Sequence, residues 1–137
     1  MAKDGAKIFL KLSSQELGMP SRLVYFVVSF QITEGKVDTF KEIARVMIAA
    51  TQKESGTLGY DWHFSSDNKL CRLLETYTDE AAVQAHIEGE AVKLIPKLLE
   101  AASISGFEVY GDTGPKAAET LKAFGAELFQ PWDGLRS

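Results

Sequence analysis

The stretch Arg22 to Thr33, RLVYFVVSFQIT, decides how the rest of the chain must be arranged. Its β-branched and aromatic residues fit a pleated surface, so it reads as a strand. It is apolar on both parities: Leu23, Tyr25 and Val27 on one, Val24, Phe26, Val28, Phe30 and Ile32 on the other. Successive side chains of a strand point to opposite faces, so a strand of this kind is covered on both sides. In a chain of 137 residues, helices can cover one face and something else must cover the other. The simplest cover is a second copy of the same sheet brought in by a two-fold axis. The pattern therefore predicts a homodimer.

Working outward, Glu34-Gly35-Lys36 is a turn, and the period then changes to that of a helix. Val37, Phe40, Ile43, Ala44, Met47, Ile48 and Thr51 make one apolar stripe, with Asp38 or Thr39 placed to cap the first turn. The helix stops before Ser55-Gly56. Residues 57 to 65, TLGYDWHFS, alternate strictly; Ser66-Asp67-Asn68-Lys69 is a hairpin turn; residues 70 to 78, LCRLLETYT, return as the partner strand. Asp79 caps a second helix, and a further helical stretch runs from Glu90 to Ala102, kinking or restarting near Lys93 because of Pro96. Residues 104 to 111 form the last strand. Gly114-Pro115 opens a third helix, Lys116 to Leu128, and Phe129 to Trp132 form an apolar tail.

The order strand, helix, strand, strand, helix, strand is the ferredoxin-like βαββαβ pattern of an α+β domain, with helices on one face of an antiparallel sheet. The predicted organisation is an N-terminal extension (residues 1–21, a docking arm or a tail), a ferredoxin-fold domain (22–112), and a C-terminal helix and tail (113–137).

Composition narrows the function. Fifteen basic and nineteen acidic residues give a net charge of −4 with no run of like charge. That argues against nucleic acid, which needs a basic stripe, and against an anionic membrane surface. No stretch approaches the ~20 apolar residues of a membrane span, and Lys11 interrupts the apolar patch near the N-terminus, so no signal-peptide core is expected. Cys71 is the single cysteine. It cannot form an internal disulfide, and the expected location is the reducing cytoplasm. It falls mid-strand, where an inert packing role is expected. No metal-ligand cluster, phosphate loop, dinucleotide fingerprint or serine elbow occurs, so neither a metal nor another cofactor is called for.

Several segments taken in order resemble a known family. Glu54-Ser55-Gly56-Thr57-Leu58-Gly59-Tyr60 leads into a strand ending Trp62-His63. Leu74-Glu75-Thr76-Tyr77 leads into a helix with Ala82 and His86 as A-x-x-x-H. Val109-Tyr110-Gly111 closes the last strand. Over residues 22 to 112 this set resembles the antibiotic-biosynthesis monooxygenases. The resemblance implies a dimeric α/β barrel with one pocket per subunit between sheet and helices. It implies an activity among cofactor-independent oxygenases of polycyclic phenols and quinols, haem-degrading enzymes, signal-molecule degraders or proteins of no assigned activity. The partners so implied are a small-molecule substrate and dioxygen.

The residues able to carry chemistry are His86, His63 and Glu75, with Tyr60, Trp62 and Tyr77 around them. Oxygenation of a phenol needs a base to take the phenolic proton, after which the electron-rich anion reacts with dioxygen. Histidine suits that role because its pKa lies near working pH. Tyrosine and tryptophan can hold a substrate oxygen while their rings form an apolar wall. Each residue also has a plain structural role open to it: His86 as a satisfied core histidine, His63 as a surface or interface residue, Tyr60 and Trp62 as core or dimer packing, Glu75 as half of an ion pair. A non-catalytic binding module and a haem binder remain alternatives. One register decides whether His63 and Glu75 cooperate. With Ser65 opposite Lys69, His63 faces Cys71 and shares Glu75's side; with Ser65 opposite Leu70, it shares a side with Arg72.

Overall fold

A computed structural model describes residues 22–135; the expected N-terminal arm lies outside them. The elements are β1 (Val24–Ile32), α1 (Val37–Thr51), β2 (Thr57–Phe64), β3 (Leu70–Tyr77), α2 (Glu80–Ile87), a 3₁₀ turn (Val92–Leu94), α3 (Ile95–Leu98), β4 (Ala102–Tyr110), α4 (Pro115–Ala123) and β5 (Glu127–Phe129). The strands form one sheet of order β2-β3-β1-β4-β5. The first four are antiparallel, and β5 runs parallel to β4. This is the ferredoxin-like α+β arrangement, extended by one strand.

The even parity of β1 is the inner one. Val24, Phe26, Val28, Phe30 and Ile32 are all buried. Phe30, Phe40 and Met47 join Leu73 and Leu98 in one core cluster; Phe26, Tyr77, Val83, Val109 and Leu121 form a second beneath α2 and α4. Phe30 stacks on Trp62 at 5.9 Å, and Phe40 meets Trp62 and Phe64 edge-on, each at 5.8 Å. Aromatic pairs in these offset and edge geometries add to what area burial alone supplies. The opposite face of the sheet carries Tyr25, Leu74, Tyr110 and Phe129, each between 36% and 42% exposed.

Two details depart from the expected pattern. Helix α1 starts without a side-chain cap; Asp38 stands in its first turn and can act only on the helix dipole. The C-terminal helix ends at Ala123 rather than Leu128. Gly125 adopts φ +94°, a left-handed conformation that reverses the chain at low cost only for glycine. Leu128 then pairs beside Val109 in β5, and Phe129 stacks on Tyr110 at 5.0 Å. Asp79 caps α2 as expected, accepting from the Ala82 amide at 2.9 Å. Pro96 stands in the first turn of α3, where its missing N–H matters least.

The segment entering β2 presses against α2. A Cβ built on Gly56 would lie 2.5 Å from Ala82 Cβ and 3.3 Å from Ala82 Cα. Gly56→Ala therefore forces backbone apart and is expected to destabilise the fold by roughly 1–3 kcal/mol, read as a lower urea midpoint. An unchanged midpoint would show that the two segments are not in contact.

Candidate active site

Three elements bring the ionisable residues together. Strand β3 places Glu75 and Tyr77 on its inner face, two residues apart. Strand β2 places Tyr60 directly opposite Glu75. Helix α2 carries His86 in its last turn, buried with Ala82 and Val83. A cation there is favoured by the carbonyl end of the helix.

The imidazole bridges two carboxylates. His86 Nδ1 lies 2.8 Å from Glu54 Oε1, and Nε2 lies 3.5 Å from Glu75 Oε1. A carboxylate only accepts, so the short contact puts a proton on Nδ1. Glu54 is held in turn by Thr57 Oγ1, which donates to Oε1 at 2.9 Å. Tyr77 donates its hydroxyl to Glu75 Oε1. The Tyr60 and Tyr77 rings flank the imidazole at 5.6 and 5.3 Å. Burial and the charge of Glu75 push both phenols far above their ordinary range, so both stay protonated as donors.

Next to this cluster is a cavity of about 320 Å³ between the sheet and the helices. Its walls are apolar side chains of the sheet, α1, the 3₁₀ turn, α3 and α4, including Phe26, Met47, Leu73, Ile95, Phe107 and Leu121. Tyr60, Glu75 and His86 are the ionisable groups that reach it. An apolar chamber with a few convergent polar groups is the usual form of a small-molecule site.

The remaining candidates lie elsewhere. Ser65 donates its amide to Leu70, and His63 stands opposite Arg72. The hairpin therefore takes the register that sends His63 to the exposed face, away from Glu75. Trp62 packs between Phe30 and Phe40, its indole nitrogen buried without a partner. Tyr77 sits behind Glu75 and reaches the cavity only through it. Cys71 is buried, and desolvation pushes its thiol up to about 11, which suits an inert residue.

These residues do not fit a haem. Both nitrogens of His86 face carboxylates, and His63 is on the far side of the sheet. No group of three histidine, cysteine, aspartate or glutamate residues suited to hold a metal ion occurs among the described residues, and no helix among them is long and apolar enough to cross a membrane.

Glu54 escaped the sequence reading as a site residue. It follows a helix end, in a segment with no periodicity, and its partner is 32 positions away. The local signal was Thr57, three residues on, whose hydroxyl orients it.

The family model for antibiotic biosynthesis monooxygenases matches residues 23–95. Among solved structures, MupZ from Pseudomonas fluorescens superposes with a TM-score of 0.70 at 22% identity, covering 85% of this chain and 96% of its own. A candidate antibiotic biosynthesis monooxygenase from Nitrosomonas europaea gives 0.60 at 20% identity, over 71% and 96% of the two chains. Rv0793 from Mycobacterium tuberculosis gives 0.57 at 20%, over 64% and 91%. At these identities the likeness speaks for the fold. No significant match was found among curated proteins.

Glu75 has a thermodynamic signature of its own. Burial raises its pKa above the ordinary carboxyl value; His86 and Tyr77 oppose the shift without cancelling it, and the charge of Glu54 adds to it. The folded chain keeps this proton to higher pH than the unfolded chain does. The associated stability is complete below the unfolded pKa and is lost as pH rises through the folded one. Glu75→Gln removes that titration. Its melting temperature is expected to gain on wild type progressively from acid to neutral pH in calorimetric scans; a difference independent of pH would contradict the shift.

Proposed function

The chain belongs to the antibiotic biosynthesis monooxygenase family, and from that premise we propose that it is a cofactor-independent monooxygenase of a phenolic or quinol-type small molecule. The observation that carries the reading is the pairing of an apolar cavity with the buried Glu75–His86 couple. The family supports a monooxygenase-like or small-molecule-binding role; the acid–base couple favours chemistry over storage.

In this reading the substrate ring lies in the cavity, with one hydroxyl at Glu75 and His86. The couple takes the phenolic proton. The phenolate passes an electron to dioxygen, the two radicals join at a ring carbon, and a peroxide forms. The ring C–H proton then leaves, the O–O bond breaks, and the outer oxygen departs as water. A phenol and dioxygen thus become a quinone and water, with one oxygen atom retained in the ring. Tyr60 holds the substrate oxygen, Tyr77 keeps Glu75 in place, and Trp62 backs the wall without touching the substrate. His63 has no part in the chemistry. The apolar walls exclude water, which strengthens each polar interaction inside.

The same reading makes the protein a homodimer of the cytoplasm. The exposed apolar side chains Tyr25, Leu74, Tyr110 and Phe129 are the surface on which a second sheet would close the barrel.

Oxygen uptake with a panel of hydroquinones tests the activity. His86→Gln is expected to lower kcat/KM by about 10²–10⁴-fold, the worth of a positioned base, whereas His63→Ala changes it by less than about twofold. Full activity in His86→Gln would sink the assignment. Leu74→Arg, which puts a charge on the exposed face, is expected to convert dimer to monomer in sedimentation velocity, and a species of unchanged mass would reject that face as the interface.

A further inference from the structure

Glu54 sits at a boundary between two spaces. On one side its Oε1 reaches His86, whose other nitrogen faces Glu75 and the cavity. On the other side Glu54 helps to line a surface cleft with Lys53, Thr78, Asp79 and Ala85. Side-chain exposure falls from 15% at Glu54 to 6% at His86 and 5% at Glu75. An imidazole with one nitrogen toward each carboxylate can accept a proton at one and release it from the other.

We propose that Glu54, His86 and Glu75 form a proton relay between the apolar cavity and the solvent cleft, with Glu54 as its outer terminal. The relay deepens the reading of the cavity as a reaction site. A proton taken from substrate by the Glu75–His86 couple arrives at His86 Nε2. The Nδ1 proton passes to Glu54, and Glu54 releases it to water. One proton enters and one leaves and no electron moves; the ring ends as the Nε2–H tautomer, and its reorientation about the Cβ–Cγ bond completes the cycle.

Geometry gives the relay a purpose. The mouth of the cavity is rimmed by exposed apolar side chains, Leu99, Ile104 and Phe124. A substrate seated in the cavity stoppers that mouth. A proton left on the couple would then have no aqueous exit on the cavity side, while the cleft beside α2 stays open. The backbone is shaped to admit the terminal carboxylate: a Cβ on Gly89 would lie 2.8 Å from Glu54 Oε2. The closest contact is the tip of a flexible side chain, with the Ala85 and His86 carbonyl oxygens next at 3.3 Å, so Gly89→Ala presses first on the carboxylate and removes no ionisable group.

The test reads proton exchange without needing a substrate. In the full chain labelled with nitrogen-15 histidine, two rings contribute, His63 and His86. Exchange of the His86 Nδ1 proton with water is measured at neutral pH in wild type, Glu54→Gln, Glu54→Asp and Gly89→Ala. Glutamine can still accept from Nδ1–H, so the ring keeps its tautomer and packing, but it cannot take the proton. Exchange is expected to slow about tenfold or more in Glu54→Gln and Gly89→Ala, and to stay within about threefold of wild type in Glu54→Asp. Any hydroquinone that wild type oxidises should show the same order in kcat with KM unchanged. Equal exchange rates in wild type and Glu54→Gln, or in wild type and Gly89→Ala should the glutamine variant not fold, overturn the relay. Slowed exchange with no oxygen uptake in wild type overturns the oxygenase reading alone.

Discussion

A single carboxylate on the inner face of an apolar sheet sets the terms for everything around it. Glu75 occupies a position that Leu73 and Cys71 fill two and four residues earlier on the same strand face. An unpaired charge there would be strongly destabilising, and such a group survives by neutralising itself or by finding partners. Glu75 does both. Burial favours its protonated form, Tyr77 donates to it, and the His86 ring stands beside it. Each compensation recruits another residue. His86 needs a partner for Nδ1, which is Glu54; Glu54 needs orientation, which Thr57 supplies. The loop that carries both has to approach α2 closely, which is why Gly56 has no room for a side chain.

The strand order was readable because strand and helix periods differ, and because β1 is apolar on both parities. The inner set of β1 is the one that its unbroken run from Val24 to Ile32 indicates. Glu75 and His86 were readable as candidates because ionisable residues stand out among apolar neighbours. Three things were not. The hairpin register turned on one residue of loop length, and Asn68 settles it by taking φ 59°, a turn conformation that asparagine tolerates better than most residues. The role of Glu54 depends on a contact between a loop and a helix end, and no local pattern encodes such a contact. Gly125 was legible as a glycine but not as a helix stop, since Leu121, Phe124 and Leu128 continue the helical spacing past it.

The family model stops at residue 95, yet the cavity does not. Phe107 from β4, Leu121 from α4 and Phe124 just after it complete its wall. The likeness to MupZ spans 85% of the chain, against 71% and 64% for the two other structures. The catalytic candidates thus lie within the shared part, and part of the chamber's shape is set outside it. This division is common where one fold serves many substrates: the chemistry stays with the scaffold, and the walls vary.

The short strand β5 has a consequence for how the protein behaves when crowded. A sheet edge with free amides and carbonyls invites another chain to add to it. Here one edge is only three residues long, Glu127 to Phe129, and Pro131 follows two positions later with no N–H to offer. The other edge, β2, is bent by a register irregularity between Thr57 and Gly59 and carries Asp61 and His63 on its exposed side. Both ends of the sheet are therefore poor templates for lateral growth. Strand-by-strand aggregation is disfavoured even though one face of the sheet exposes Tyr25, Leu74, Tyr110 and Phe129.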